Sequence, residues 1–330
     1  MRVLITGVTG MMGGFLAREL RRQDPDVEIL GTYRWRSRME NVEAIRNQLG
    51  LRECDVRDAS SVRRLIADVR PDRVFHLAAQ SNVLTSRHAP ADTIATNVVG
   101  LVNLLEAIRE SHPAARVLVP GSSEEYGLQH PEELPIRETN PLRPLSPYAV
   151  SKVTQDMTGL QYFESYHLHI VRTRAFNHSG PGREDVFVES NFAHQIAEIE
   201  AGLRGPELFV GNLDVVRDYS DARDVARAYI LALESGVPGE VYNICSGRGR
   251  RIGDVLNSLL AMSGVEARIV VDPARLRDRE ALELVGDPTR FREATGWVPT
   301  IDFEQTLRDL LDSWRRRLAL EAERARQQTV

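Results

Sequence analysis

The opening stretch constrains the fold most. Val3-Leu4-Ile5 is a short run of β-formers, and it leads straight into Thr6-Gly7-Val8-Thr9-Gly10-Met11-Met12-Gly13-Gly14. Phe15, Leu16 and Leu20 then recur at helical spacing. A strand, a glycine turn and a helix in that order let backbone approach a pyrophosphate at a helix N-terminus. Free N–H groups and the helix dipole favour an anion there. The spacing is Gly-x-x-Gly-x-x-Gly, a variant of the more common Gly-x-Gly-x-x-Gly.

The next strand, Val27 to Leu30, ends in Gly31-Thr32-Tyr33-Arg34-Trp35-Arg36-Ser37-Arg38. An NAD site usually carries an acid at this point to bind the ribose 2′-hydroxyl. Here arginines stand instead, and guanidinium matches phosphate with paired hydrogen bonds. Arg34 and Arg36 therefore predict NADP(H). A third strand ends at Glu53-Cys54-Asp55-Val56, and a helix is expected over Ala59 to Val69. The fourth strand runs from Val74 into Leu77-Ala78-Ala79-Gln80-Ser81. A long helix follows over about Thr93 to Ser111. The fifth strand, Arg116 to Val119, ends at Gly121-Ser122-Ser123-Glu124-Glu125-Tyr126-Gly127. Strand–helix alternation at this spacing predicts an α/β fold, a Rossmann-like doubly wound parallel sheet. Ligands bind beyond the carboxyl ends of such strands, where Ser122 and Glu124 lie.

Gln129 to Pro147 reads as a loop over the site. After it, Ser146-Pro147-Tyr148-Ala149-Val150-Ser151-Lys152 opens a helix to about Tyr166, and proline suits its first turn. Tyr148 and Lys152, four residues apart, share one helix face. An ammonium beside a phenol favours the phenolate, so Lys152 is expected to lower Tyr148 from its reference pKa of about 10. A strand from His169 to Arg174 and a loop from Asn177 to Arg183 follow. The remaining helices are placed at about Phe192 to Gly202, which leads to Glu207-Leu208-Phe209-Val210 and a loop over Gly211 to Asp214, and at Ala222 to Leu233, Ile252 to Met262 and Phe303 to Arg317, with one more strand at Val241 to Cys245. The charged end of the chain reads as a solvated, partly frayed tail. The division expected is a cofactor domain over residues 1–174, with segments of about 216–245 returning to it. Residues 175–330 then form mainly a smaller α/β substrate lobe.

The totals narrow the class. The 330 residues allow a large core, and 42% hydrophobic with 27% charged residues is a soluble globular composition. A net charge of -5 argues against a general nucleic-acid binder. Cys54 and Cys245 sit in apolar runs and read as free thiols in a reducing compartment. No secretory signal and no run long enough for a membrane span are read, so the expected place is the cytoplasm. No metal site is expected.

Thr6 to Gly13, Leu77 to Ser81, Ser122 to Gly127, Tyr148 with Lys152, and Arg172 to Gly182 follow one another in a familiar order. The chain resembles the extended short-chain dehydrogenase/reductases that act on nucleotide sugars, nearly throughout. Asn177-His178, Gly211-Asn212-Leu213-Asp214, Arg217-Asp218-Tyr219, and Arg277 with Glu280 resemble the GDP-mannose branch. The resemblance implies that Tyr148 exchanges the proton of the sugar 4-hydroxyl, with Lys152 and Ser122 assisting and Glu124 as acid/base. It implies that Gly7, Thr9, Gly10, Met11, Met12, Gly13, Asp55, Val56, Leu77, Ala78, Ala79, Gln80, His178 and Arg183 line the cofactor. Tyr148 and Lys152 face it too. Ser81, Ser122, Asn177, Asn191, Arg217, Arg277 and Glu280 would meet a GDP-sugar.

Two activities share the pattern: 4,6-dehydration of GDP-mannose, and reduction of the resulting 4-keto-6-deoxy sugar to GDP-rhamnose. Met11-Met12 stands where the dehydratase usually has Gln-Asp, and Gly121-Ser122-Ser123-Glu124-Glu125-Tyr126 and Gly180-Pro181-Gly182 look more like the reductase, which can also carry this glutamate. Ala79-Gln80-Ser81 looks like the dehydratase, and Glu124 has a defined task only there. The expectation is therefore dehydration. A cofactor-binding regulator that has lost the chemistry is a third reading, opposed by the presence of both Tyr148 and Lys152. Val98, Leu101, Leu105, Met157 and Leu160 exceed what one core-facing stripe needs. In this family such helices pair across a two-fold axis, so a dimer or dimer of dimers is expected.

Overall fold

The structure is a computed structural model that describes residues 1–276 and 280–328. Thirteen strands form among the described residues. The first six are β1 (Arg2–Thr6), β2 (Glu28–Tyr33), β3 (Gly50–Glu53), β4 (Arg73–His76), β5 (Arg116–Ser122) and β6 (Ile170–Ala175). After them come β7 (Asn177–Ser179), β8 (Glu207–Val210), β9 (Val216–Asp221), β10 (Val241–Ile244), β11 (Gly249–Arg251), β12 (Arg268–Val271) and β13 (Glu283–Leu284). Seven of them make one sheet in the order β10-β6-β5-β4-β1-β2-β3, parallel throughout. The chain winds outward from β1 to β3, returns, and continues from β4 on the other side. That reversal opens a crevice beyond the carboxyl ends of β1 and β4.

Both faces of the sheet are covered, which explains the nearly unbroken apolar runs in its strands. On one face, Leu16, Ala17 and Leu20 of the Met11–Gln23 helix pack with Val225, Tyr229 and Ile230 of the Ala222–Ser235 helix. On the other, Val62, Leu65 and Ile66 of Ala59–Val69 meet Leu101, Leu104 and Leu105 of Gly100–Ser111. Full burial of each such aliphatic side chain is worth about 1.5–3 kcal/mol relative to exposure. A separate core gathers Phe192, Ile196, Leu208, Leu256, Leu307 and Leu311. All of these come from residues after Val188, so the later chain builds a second centre of packing beside the sheet.

Four expectations differ from what the chain does. Asn177–Ser179 is a strand, not a loop; it pairs in parallel with Tyr219–Asp221. Its partner lies far along the chain, so no local pattern announces it. The helix placed at Thr93 begins at Pro90 and passes through a π-helical turn at Ala95–Val99. The whole run Pro90–Ser111 is long and apolar enough to cross a membrane by length and composition, contrary to the reading above. Half of it is buried against the rest of the fold, as a core helix is. Finally, the last helix runs Phe303–Gln328, well past Arg317, with residues 321–327 exposed.

Candidate active site

The glycine turn is shaped by close approach. Gly7 has φ +68°, and a Cβ there would lie 2.9 Å from the Ala78 backbone. Gly13 has the tightest fit, since a Cβ would sit 2.4 Å from the Val8 carbonyl oxygen. The first glycine thus lets β1 and β4 end side by side, and the last lets the helix pack on its own strand. Thr6 and Thr32 lock the turn: Thr32 Oγ1 accepts from the Gly7 N–H at 3.0 Å, and Thr6 Oγ1 from the Ala78 N–H at 3.1 Å. Gly10 caps the helix without a side chain, so no side chain competes for the first-turn amides. Thr9 is tied by its carbonyl to Asn41 Nδ2 at 3.1 Å, and Met11 and Met12 begin the helix.

Arg34, Trp35 and Arg36 form an exposed tip after β2, closed by the Arg34 N–H donating to Ser37 Oγ at 3.0 Å. Among the described residues no side-chain hydrogen bond or ion pair engages the guanidinium groups of Arg34 and Arg36. Asp55 is half-buried, held by Arg57, whose hydrogen bonds keep its carboxyl below the usual range. Val56 is buried next to it. Leu77, Ala78, Ala79 and Gln80 line the end of β4 and are all partly buried. Glycine cradle, free guanidinium groups and open helix N-terminus fit a 2′-phosphorylated dinucleotide.

Beyond β5, Ser122 starts a short 3₁₀ turn and accepts the Glu124 N–H at 3.2 Å. Ser146 caps the Pro147–Tyr166 helix by accepting the Ala149 N–H at 3.1 Å. This start sets Tyr148 and Lys152 on the inner face, both buried. Lys152 Nζ donates to the Pro120 carbonyl at 2.8 Å. Its ammonium is therefore aimed at β5 and not at the phenol, which corrects the expected lowering of Tyr148. Burial pushes Tyr148 up to about 12; Glu124 and Glu125 add to the rise, and Ser122 and Arg183 oppose it. Burial pulls Lys152 down to about 8. His76, at the end of β4, meets Thr6 Oγ1 at 3.0 Å and stays neutral, pulled down to about 3 by burial and the Lys152 charge.

Around the same centre, His178 sits on β7 with its Nδ1 3.1 Å from the Phe176 carbonyl. Burial lowers it to about 4, helped by the Arg183 charge. Arg183 lies over the Phe187 ring and 3.4 Å from Glu189. One cleft is lined by Arg87, Glu124, Ser146, Arg217, Glu280 and Leu284. Arg217 is buried on β9 and lies 3.4 Å from Glu280. Its neighbour Asp218 is occupied elsewhere, accepting from Ser246 and Gly247. Glu124, Arg217 and Glu280 are thus brought together. Asn177 is half-buried on β7, and Ser81 is exposed. Asn191 bonds Gln195 and Arg275 on the flank of the second lobe and does not line that cleft. Arg277 lies outside the described residues.

Two residues went unnoticed in the sequence. Asn97, in the π turn, accepts the Gln80 N–H at 2.8 Å and donates to the Gln80 carbonyl and to Ser151 Oγ. It joins the end of β4 to the Tyr148 helix, and the π turn that presents it is a local irregularity of the kind found at sites. Arg87 lines the cleft opposite Glu124, and nothing in its spacing marks it out.

Fold and site together define an extended short-chain dehydrogenase/reductase. The family model for GDP-mannose 4,6 dehydratase matches residues 4–310, and the chain belongs to that family. A GDP-6-deoxy-D-mannose reductase of Pseudomonas aeruginosa is 39% identical over 248 residues, covering 75% of this chain and 82% of that protein. A GDP-mannose 4,6-dehydratase of Vibrio cholerae is 30% identical over 351 residues, covering 94% and 92%. Among solved structures, RMD from Pseudomonas aeruginosa complexed with NADPH superposes with TM-score 0.84 at 33% identity, covering 96% of this chain and 99% of that one.

Proposed function

We propose that the chain is an NADP(H)-dependent enzyme of GDP-hexose metabolism that acts at C4 of the sugar. The convergence of Ser122, Tyr148 and Lys152 beyond the carboxyl end of β5 carries this reading. When bound, the nicotinamide supplies or takes the hydride. Gly7, Gly10 and Gly13 hold its pyrophosphate and Arg34 and Arg36 its 2′-phosphate; residues 1–174, with 216–245, form this half. Residues 175–330 hold mainly the sugar nucleotide, with Arg217 and Glu280 on its path. The protein acts in the cytoplasm as a dimer or dimer of dimers. A strictly monomeric mass by light scattering at micromolar concentration would reject the assembly.

Reduction of a 4-keto-6-deoxy GDP-sugar leads among the reactions. Tyr148, buried with the Ser122 hydroxyl as its hydrogen-bond neighbour, is suited to give its proton to the C4 oxygen. Lys152 then restores charge balance beside the departing proton, and Ser122 orients the oxygen. The 39% identity to a reductase supports the same direction. Dehydration of GDP-mannose is the second reading, favoured by Glu124 on the cleft. Oxidation at C4 makes the C5 proton acidic; Glu124 would remove it and protonate the leaving C6 hydroxyl.

One experiment separates them. Purified protein is given GDP-mannose, or the 4-keto-6-deoxy sugar with NADPH. Consumption of one NADPH per keto sugar, with GDP-mannose untouched, is expected. A product of GDP-mannose lighter by one water, without net change in cofactor absorbance and abolished by Glu124→Gln, would instead establish the dehydratase. Silence with both substrates would leave a cofactor-binding regulator.

A further inference from the structure

Glu124 and Glu125 look like one acidic pair in the sequence, yet the fold separates them. Glu124 reaches the cleft, whereas Glu125 is completely buried behind it. A buried carboxylate is costly unless its oxygens are engaged. Glu125 Oε1 accepts the Ser122 N–H at 2.7 Å, while Oε2 lies 3.2 Å from Arg174 Nε as an ion pair without a hydrogen bond. Arg174 also clamps Asp156 Oδ2 through Nε at 2.9 Å and Nη2 at 2.6 Å, and Arg172 binds the other Asp156 oxygen. Asp156 stands one helical turn beyond Lys152, on the same inner face. The glycine before Ser122 fits this arrangement: a Cβ on Gly121 would fall 2.2 Å from Glu125 Oε1.

We propose that Glu125 is a positioning residue for the reaction: its carboxyl group fixes Ser122 through the backbone and faces Lys152. The proposal rests on the reading of Ser122, Tyr148 and Lys152 given above. An apolar side chain would pack in this space but would leave the Ser122 amide without its acceptor. It would also leave Asp156 as the one carboxylate paired with Arg174.

The charges around these groups fix the sign of the effect. Glu125 faces Asp156, Lys152, Arg174 and Tyr126; Lys152 faces Glu125 and the neutral His76; Tyr148 faces Glu124, Glu125 and Arg183. Burial and the Asp156 charge push the Glu125 carboxyl up to about 8, with Arg174, the Ser122 amide and Lys152 opposing. Its charge therefore develops on the alkaline side of neutral, where it favours the Lys152 ammonium and disfavours a Tyr148 phenolate. Removing that charge makes both groups lose their protons at lower pH. Both must hold protons for reduction, so the alkaline limb of the rate profile moves toward acid.

Two variants divide the roles. Glu125→Gln keeps an acceptor for the Ser122 amide and removes the charge. It is expected to retain kcat below pH 7 and to move the alkaline limb down by roughly one pH unit. Glu125→Asp keeps the charge but draws the carboxylate back from Ser122. It is expected to leave the limb in place and lower kcat by about tenfold at every pH. Should Glu125→Gln not fold, Glu125→Asp carries the test alone. Wild-type kcat and limb in both variants, or a uniform loss in Glu125→Gln that follows its melting temperature without moving the limb, overturns the proposal. Activity surviving in Tyr148→Phe would overturn the underlying reading instead; an inactive Tyr148→Phe beside an unmoved limb in Glu125→Gln overturns only the role of Glu125.

Discussion

The helix Met11–Gln23 buries Met11, Gly13, Gly14, Leu16, Ala17 and Leu20 against the sheet, while Pro147–Tyr166 turns Tyr148, Ser151, Lys152, Gln155 and Asp156 inward. Both helices begin beside the same crevice. The first has no side-chain cap, and its glycines clear a path for backbone. The second is capped by Ser146 and brings chemistry in its side chains. In the proposed function the first serves the cofactor through amides and dipole, whose strength does not depend on titration. The second works through groups whose protonation depends on burial and neighbours. A buried polar face needs partners, and those partners are Arg172 and Arg174 on Asp156, the Pro120 carbonyl on Lys152 and Asn97 on Ser151. The proposed function thereby gives binding and reactivity to different helices, and substitutions should separate them.

Tyr148→Phe should show the largest effect. Loss of the proton donor is expected to lower kcat by roughly a thousandfold, about 4 kcal/mol, with NADPH affinity by fluorescence titration within about twofold. Comparable losses of affinity and rate would mean the two helices are not independent. Gly13→Ala should do the converse. Its Cβ would press on Val8 backbone, which cannot yield as a flexible side chain would. A loss of about 1–3 kcal/mol in denaturant unfolding is expected, together with weaker NADPH binding. An unchanged melt would show that the helix can shift without cost. The smallest effect concerns the tip beside the first helix. NADP(H) should bind at least about tenfold more tightly than NAD(H), roughly 1.4 kcal/mol, and Arg34→Ala with Arg36→Ala should erase the preference. Equal affinities in the wild type would remove the 2′-phosphate reading.

Where structure follows from spacing along the chain, it was legible. Ala59–Val69 forms as read, because apolar periodicity suffices. The glycine turn, the Ser146-Pro147 helix start and the strand–helix alternation were legible for the same reason. Asn177–Ser179 was not, since its strand character comes entirely from Tyr219–Asp221. Asn97 escaped notice because its value lies in joining Gln80 to Ser151, two segments remote from it in the chain.

By itself the sequence determined the parallel doubly wound sheet, the glycine cradle, and the sharing of one helix face by Tyr148 and Lys152. Each of these depends on residue type and on separations of a few positions. Only the tertiary structure decided that Lys152 points to the Pro120 carbonyl, that burial raises Tyr148, and that Glu124 faces the cleft while Glu125 is sealed among arginines. Charge energetics depend on dielectric and on neighbours brought in from other strands, and neither is written in local spacing.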